Sequence, residues 1–199
     1  AAATGDQGIR FVAGDDTERE GAFEARDGLF GGVTGAEPLV WSGGAPGDIT
    51  RAIGAATHIL SSVSPDEAGD PVLADLSHAL AERAPGLTWV GYLSTTGVYG
   101  DHQGAWVDED TPLTPSTRRG RLRVLAEEQW QALAAQSGLP LHIFRLAGIY
   151  GPGPSRNALE AVRSGSARRI VKPGQMFGRI HVADIVQVLR DGNHGVAVG

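Results

Sequence analysis

Three hydroxyls stand together at Ser94, Thr95 and Thr96, after an apolar run and just before Gly97. At a strand end such a triplet can orient a carbonyl or an alcohol, or it can satisfy the backbone of a turn. A hydroxyl is a poor general base unless a neighbour lowers its pKa, so positioning is the better role. Tyr99 follows, and a phenol there can stack on a flat ligand or exchange a proton. No Lys or Arg one helical turn away activates it, and tyrosine is also a common core residue. Arg118, Arg119, Arg121 and Arg123 then open a helical stretch. Arg119 and Arg123 are four apart on one face, where like charges repel, and they sit at the end where the helix dipole disfavours them. Glu127 offers Arg123 a partner one turn on. Arg119 has no such helical partner, and its planar fork suits the preceding acidic loop, a phosphate or a carboxylate. Arg145, inside the apolar run LHIFRLAG, requires a carboxylate or a ligand if it is buried.

Two other constellations are weaker. Gly5-x-x-Gly8 could be a pyrophosphate-binding turn at a helix start, but Phe11 occupies the third glycine position and no strand is legible before it. His102 with Asp108, Glu109 and Asp110 lacks the convergent spacing of metal ligands and reads as a solvent-facing loop, so no metal is expected.

Composition narrows the classes. The chain has 199 residues, enough for one domain with a real core. It has no cysteine, which excludes disulfides and thiolate chemistry and fits a cytoplasmic protein. The net charge of −6 arises in residues 1–50, where nine acids face three bases; residues 51–199 carry fourteen of each sign. There is no broad basic field for nucleic acid or anionic lipid. No apolar run approaches a membrane span, and no basic stretch leads into an apolar signal core.

The elements that must position these residues follow a pattern. Residues 1–35 keep no regular period, with a loose helix near 17–27 competing with irregular chain. Strands are predicted at 37–41, 57–63, 88–94 and 141–147, and at 168–172. Helices are predicted through Ala55 behind an Asp48 cap, over 71–84 behind an Asp70 cap, over 118–136, over 156–164 and from His181 to Arg190. In the 71–84 helix the expected core stripe is Val72, Leu76, Ala79 and Leu80. In the 118–136 helix it is Leu122, Leu125, Ala126, Trp130 and Leu133. Alternating strands and helices with weakly alternating apolar strands point to a doubly wound parallel α/β sheet with helices on both faces. Ligands bind such sheets beyond the carboxyl ends of the strands, here Ser61–Ser62, Ser94–Tyr99 and the segment 147–153. The connection 97–117 is long enough to be functional.

Four segments in order, STTGVYGD at 94–101, ED-x-P at 109–112, RLAGIYGPG at 145–153 and RIHVADI at 179–185, resemble an extended or atypical short-chain dehydrogenase/reductase. More narrowly, the chain resembles the NAD-dependent epimerase/dehydratase family and its bacterial oxidoreductase-like branch. The likeness spans residues 36–190. It implies one Rossmann-like domain over 1–199, with 150–199 opening a small substrate lobe. It also implies incompleteness at both ends, since residues 1–35 do not clearly supply the family's opening strand and G-x-x-G-x-x-G, and the family continues past the HVADI helix.

The resemblance implies NAD or NADP as cofactor and a small-molecule substrate, and it admits a homodimer. Thr95 corresponds to the hydroxyl that meets the substrate or the catalytic tyrosine, and Tyr99 to the VYG tyrosine. Ser61, Ser62 and Ser94, with Gly5 and Gly8, form the expected cofactor edge. Leu146, Ala147 and Gly148 would meet the nicotinamide side, and Tyr150, Arg179 and His181 the substrate side. Aligned on Glu127, Arg119 falls in the slot of the family's catalytic tyrosine and Arg123 in that of its lysine. Lys172, the chain's single lysine, lies elsewhere. Arg123 could keep the lysine's electrostatic role, but Arg119 does not deprotonate near neutral pH. Two readings follow: an NAD(P)-dependent oxidoreductase or epimerase acting on a hydroxyl or carbonyl compound such as a sugar nucleotide, or a dinucleotide-binding protein without the standard reductase reaction.

Overall fold

The computed structural model describes residues 10–14, 37–41, 43–152, 158–168, 171, 174 and 176–192. β1 (Arg10–Gly14) pairs with β2 (Glu37–Trp41), both within or next to a region where the sequence gives no clear period. β3 (His58–Ser61), β4 (Trp89–Thr95) and β5 (Leu141–Leu146) form a three-stranded sheet in that order. β6 (Gly148–Tyr150) pairs with β7 (Arg179–His181). All of these pairings are parallel. The fold is the predicted Rossmann-like α/β class, a parallel β-layer flanked by helices on both faces.

α1 (Gly47–Ala55), α2 (Pro71–Arg83) and α3 (Arg118–Ser137) supply one core. Ile49, Ile53, Leu76, Leu80, Ala126 and Trp130 close over Val90 and Tyr92, the alternate residues of β4 that face the helices. Helix limits follow local chemistry. Asp70 accepts from the Val72 amide (2.8 Å) and Pro71 starts α2; Thr117 accepts from the Gly120 amide (3.0 Å) to start α3, which stops where Gly138 turns left-handed (φ 75°).

Several expectations are corrected. Asp48 does not cap α1: the N-cap is Pro46, without a side-chain bond, and Asp48 lies in the first turn. The buried residues of α2 are Leu73, Leu76 and Leu80, while Val72 and Ala79 are only half-buried. The buried face of α3 is Gly120, Arg123, Ala126, Glu127 and Trp130, not one built on Leu122 and Leu125. That face turns inward because its charged pair has partners on the sheet. His181 ends a strand rather than starting a helix; the helix is α5 (Val182–Gly192). α4 covers Ala158–Arg163. Within the predicted 168–172 strand, Arg168 and Val171 lie outside any strand, and the rest of that segment is outside the described residues, as are the helix at 17–27 and the Gly5-x-x-Gly8 turn.

Candidate functional site

β4 and β5 end in register, Thr95 opposite Leu146, so the loop from Thr96 and the segment from Ala147 leave the sheet side by side. Around this edge two buried polar clusters join the sheet to α3.

The first holds Arg123. Its Nη1 donates to the Tyr92 hydroxyl (2.9 Å), the Leu93 carbonyl (2.9 Å) and the Val63 carbonyl (3.3 Å), and its guanidinium lies 5.6 Å from the Tyr92 ring centre. The residue is 6% exposed. The expected pairing with Glu127 is absent, because the sheet's carbonyls and a phenol take the guanidinium instead. Burial pushes the Tyr92 hydroxyl up to about 12, so it stays protonated at neutral pH. Nearby, Asp70 accepts from the Trp130 indole (2.8 Å). Burial raises its carboxyl above the ordinary carboxylate value, against the pull of Trp130, the Val72 and Leu73 amides and Arg123.

The second cluster is built on Glu127, almost wholly buried. It accepts from the Ser94 hydroxyl and from Arg145, whose Nη2 lies 2.9 Å and Nε 3.1 Å from Oε2. Arg145 thus meets the carboxylate that its place in an apolar strand required. Its Nη1 also donates to the Tyr99 hydroxyl (2.9 Å) and the Glu109 carbonyl (3.4 Å). Burial works against its charge, yet Glu127 and Tyr99 hold its pKa above the usual value. Tyr99 is 6% exposed, with its phenol held inside this cluster.

The remaining predicted residues divide. Thr95 accepts from the Gly97 amide (3.2 Å) and is half-buried, so its hydroxyl shapes the turn after β4. Ser62 is exposed just past β3. Ser61 is buried at the end of β3, beside Tyr92 in register, and its hydroxyl has no hydrogen-bond partner among the described residues. Leu146 and Ala147 are half-buried, and the Gly148 amide donates to the Gly178 carbonyl (3.1 Å). Tyr150 and His181 face one another in register with ring centres 5.1 Å apart; Tyr150 is 47% exposed. The Ala183 amide donates to His181 Nδ1 (3.2 Å), which leaves the neutral ring's hydrogen on Nε2. Arg179 is exposed on β7, its side chain running along Gly148. Arg119 is exposed and has no hydrogen bond or ion pair among the described residues, whereas its neighbour Arg118 binds Glu67 (2.6 Å). Gly5 and Gly8 precede β1, the first described strand, and lie outside the described residues. Sequence reasoning missed Tyr92, whose role as a buried acceptor depends on where the next helix, α3, places its arginine.

The residues present fit the holding of a dinucleotide better than its standard use. Ser61 carries a buried hydroxyl with no partner among the described residues at the rim of β3, and a buried polar group of this kind calls for one. The ends of β4 and β5 are bordered by the half-buried Thr96, Leu146 and Ala147. No Tyr or Lys stands on α3, so that helix brings neither of the groups that pass a proton in the Tyr–Lys arrangement.

Residues 72–193 match the NAD dependent epimerase/dehydratase family. Among solved structures, a conserved protein of unknown function from Silicibacter pomeroyi is 57% identical with a TM-score of 0.71, over 80% of this chain and 53% of that one. A putative NAD-dependent epimerase/dehydratase from Methylobacillus flagellatus is 28% identical with a TM-score of 0.56, over 84% of this chain and 59% of that one. The UDP-glucuronic acid 4-epimerase of Bacillus cereus, in complex with UDP-glucuronic acid and NAD, is 16% identical with a TM-score of 0.60, over 80% and 56%; at that identity the likeness is one of fold. The chain thus spans between half and two thirds of the length of each. No curated protein matches it.

Proposed function

The chain belongs to the NAD dependent epimerase/dehydratase family, and from that premise we propose that it binds NAD along the carboxyl edge of β3, β4 and β5 without the family's Tyr–Lys proton transfer. The observation that carries this reading is the fate of Tyr92, Tyr99 and Arg123. Tyr92 is buried against Arg123, Tyr99 is buried against Arg145, and Arg123 spends Nη1 on the sheet. Ser61, Ser62, Thr96, Leu146, Ala147 and Gly148 would line the dinucleotide. When bound, the nicotinamide supplies the capacity for hydride transfer. The protein's own groups at this edge orient and exclude water; a guanidinium at Arg119 can hold an anionic oxygen but cannot deliver its proton near neutral pH.

Calorimetric titration with NADH tests the binding half of the proposal. Saturable binding is expected, together with unchanged nicotinamide absorbance when simple aldehydes, which can accept its hydride, are added. Failure to bind, or oxidation of the bound NADH, contradicts it.

One observation favours a second reading, an oxidoreductase or epimerase acting on a hydroxyl or carbonyl compound. Tyr150 keeps its phenol half in water beside an imidazole whose Nε2 carries the hydrogen. If turnover is found, Tyr150→Phe should lower kcat by about a hundredfold, as for loss of a general acid; an unchanged kcat would remove Tyr150 from the reaction.

A further inference from the structure

Helix α3 runs back along the sheet from the end at which β4 finishes. A Cβ on Gly120, in its first turn, would lie 2.7 Å from the Gly97 carbonyl oxygen just past β4, and Gly138 at its far end leads to the start of β5. Arg123 fixes which way the helix faces. Its Nη1 reaches the Leu93 carbonyl on β4 and the Val63 carbonyl two residues past β3, so this part of the helix lies over the crevice between the two strands. Arg119 is four residues earlier, on the same helix face, and about 5 Å nearer the carboxyl ends. It therefore stands at the mouth of the crevice where β3 and β4 end. An exposed arginine is ordinary by itself. Here the same crevice holds a second unmet group. Ser61 lies opposite Tyr92 in register, on the face that Tyr92 shares with Trp130 and Arg123 of α3. It is 5% exposed, and its hydroxyl has no partner among the described residues. A free guanidinium fork at the mouth and an unmet buried hydroxyl in the crevice are both groups that an oxygen-bearing ligand satisfies.

The other charges on the segments that meet here narrow the ligand. Arg118 is paired with Glu67, Asp66 accepts from the Ala68 amide (2.7 Å), and Arg123 is held by the sheet and Tyr92. Arg121 is exposed two positions on, and so on another side of the helix. In the connection that leads into α3, Asp101 accepts from the Gln103 amide (2.8 Å) and Asp108 from the Thr111 hydroxyl (2.7 Å), while Glu109 and Asp110 are exposed without an ion pair among the described residues. Arg119 is thus the cation left free at this mouth among the described residues. One fork balances one negative charge, and its planar pair of donors matches the two oxygens of a carboxylate; a diphosphate would remain in excess, with two further carboxylates unpaired in the adjoining connection. We propose that Arg119 anchors the carboxylate of a second, small ligand at the mouth between β3 and β4, so that the compound taken up beside the dinucleotide is a carboxylic acid. This rests on the reading that NAD lies along the same edge.

Benzoate and benzamide share a shape and differ in charge, so the pair reads the site. In saturation-transfer NMR titrations with NADH present, benzoate should bind and benzamide should not. Arg119→Gln should weaken benzoate by about tenfold, as for a lost charge-assisted contact. Arg121→Gln, which removes an equally exposed charge, should leave it unchanged. The urea midpoint of Arg119→Gln should match the parent's, because the side chain lost is exposed and unpaired. Equal binding of the two probes, or equal loss of benzoate in both arginine variants, would overturn the proposal. So would an Arg119→Gln protein that keeps benzoate and loses NADH, since the fork would then serve the diphosphate. NADH binding is measured on the same protein by calorimetry. Benzoate held through Arg119 without NADH binding would refute the dinucleotide reading alone, and NADH binding without benzoate would refute the carboxylate site alone.

Discussion

Arg123 is buried and Arg145 mostly so, and they differ in what holds them. Arg145 faces a carboxylate that is itself almost wholly buried, so removing the cation strands Glu127 in the interior. Arg145→Met should therefore destabilise the fold by about 3 kcal/mol, near the lower end of the range for a broken buried pair, since the arginine keeps some solvent contact. Urea denaturation measures this, and adding Glu127→Leu should recover part of the loss. If the single substitution is neutral, the pair contributes nothing. The need for a partner was legible in the sequence because an arginine interrupts an apolar strand. The identity of that partner was not. The i,i+4 rule assigned Glu127 to Arg123, but a helix that packs on a sheet offers its inward face to the strands first. A guanidinium can then exchange a helical neighbour for backbone carbonyls and a phenol.

At the scale of elements, α3 touches the turn after β4 through Gly120. A Cβ there would lie 2.7 Å from the Gly97 carbonyl and 2.9 Å from Pro115 Cβ. Alanine is the better helix former by about 1 kcal/mol, yet overpacking costs about 1–3 kcal/mol. Gly120→Ala should thus lower the urea midpoint, and a raised midpoint would show that the helix can retreat. Helix α2 carries a pH signature at its cap. As pH falls, folded Asp70 takes up a proton before the unfolded chain does, because burial raises its pKa above 3.8. The folded state binds more protons in that window, so this group's contribution to stability falls as pH rises from 3.8 through the folded value. Asp70→Asn should flatten that part of a pH series of urea midpoints, and an unchanged slope would assign the dependence to other groups. The cap, the proline start and both helix ends were legible from residue types. The stripe of α3 was not, because its inward positions are occupied by an arginine and a glutamate that hydrophobic periodicity assigns to solvent. The strand pair β6–β7 also escaped, since three-residue strands carry too little pattern to separate from a turn and a helix start.

For the whole molecule, the order of motifs identified the family, and the parallel pairing agrees with it. Among the described residues no helix is long and apolar enough to cross a membrane, and no group of acids and histidines could hold a metal ion. That α3 carries Arg119 and Arg123 and neither a tyrosine nor a lysine was also legible. Their different fates were not, one turned to solvent and one buried under the sheet, because they depend on how α3 is seated. The central claim is that this edge binds the dinucleotide and leaves it unreacted. Calorimetry with NADH, followed by absorbance of the saturated complex after a simple aldehyde is added as hydride acceptor, tests both parts in one sample. Saturable binding with a constant nicotinamide signal is the expected result. No heat of binding, or loss of that signal at the rate of an enzymatic turnover, would contradict it.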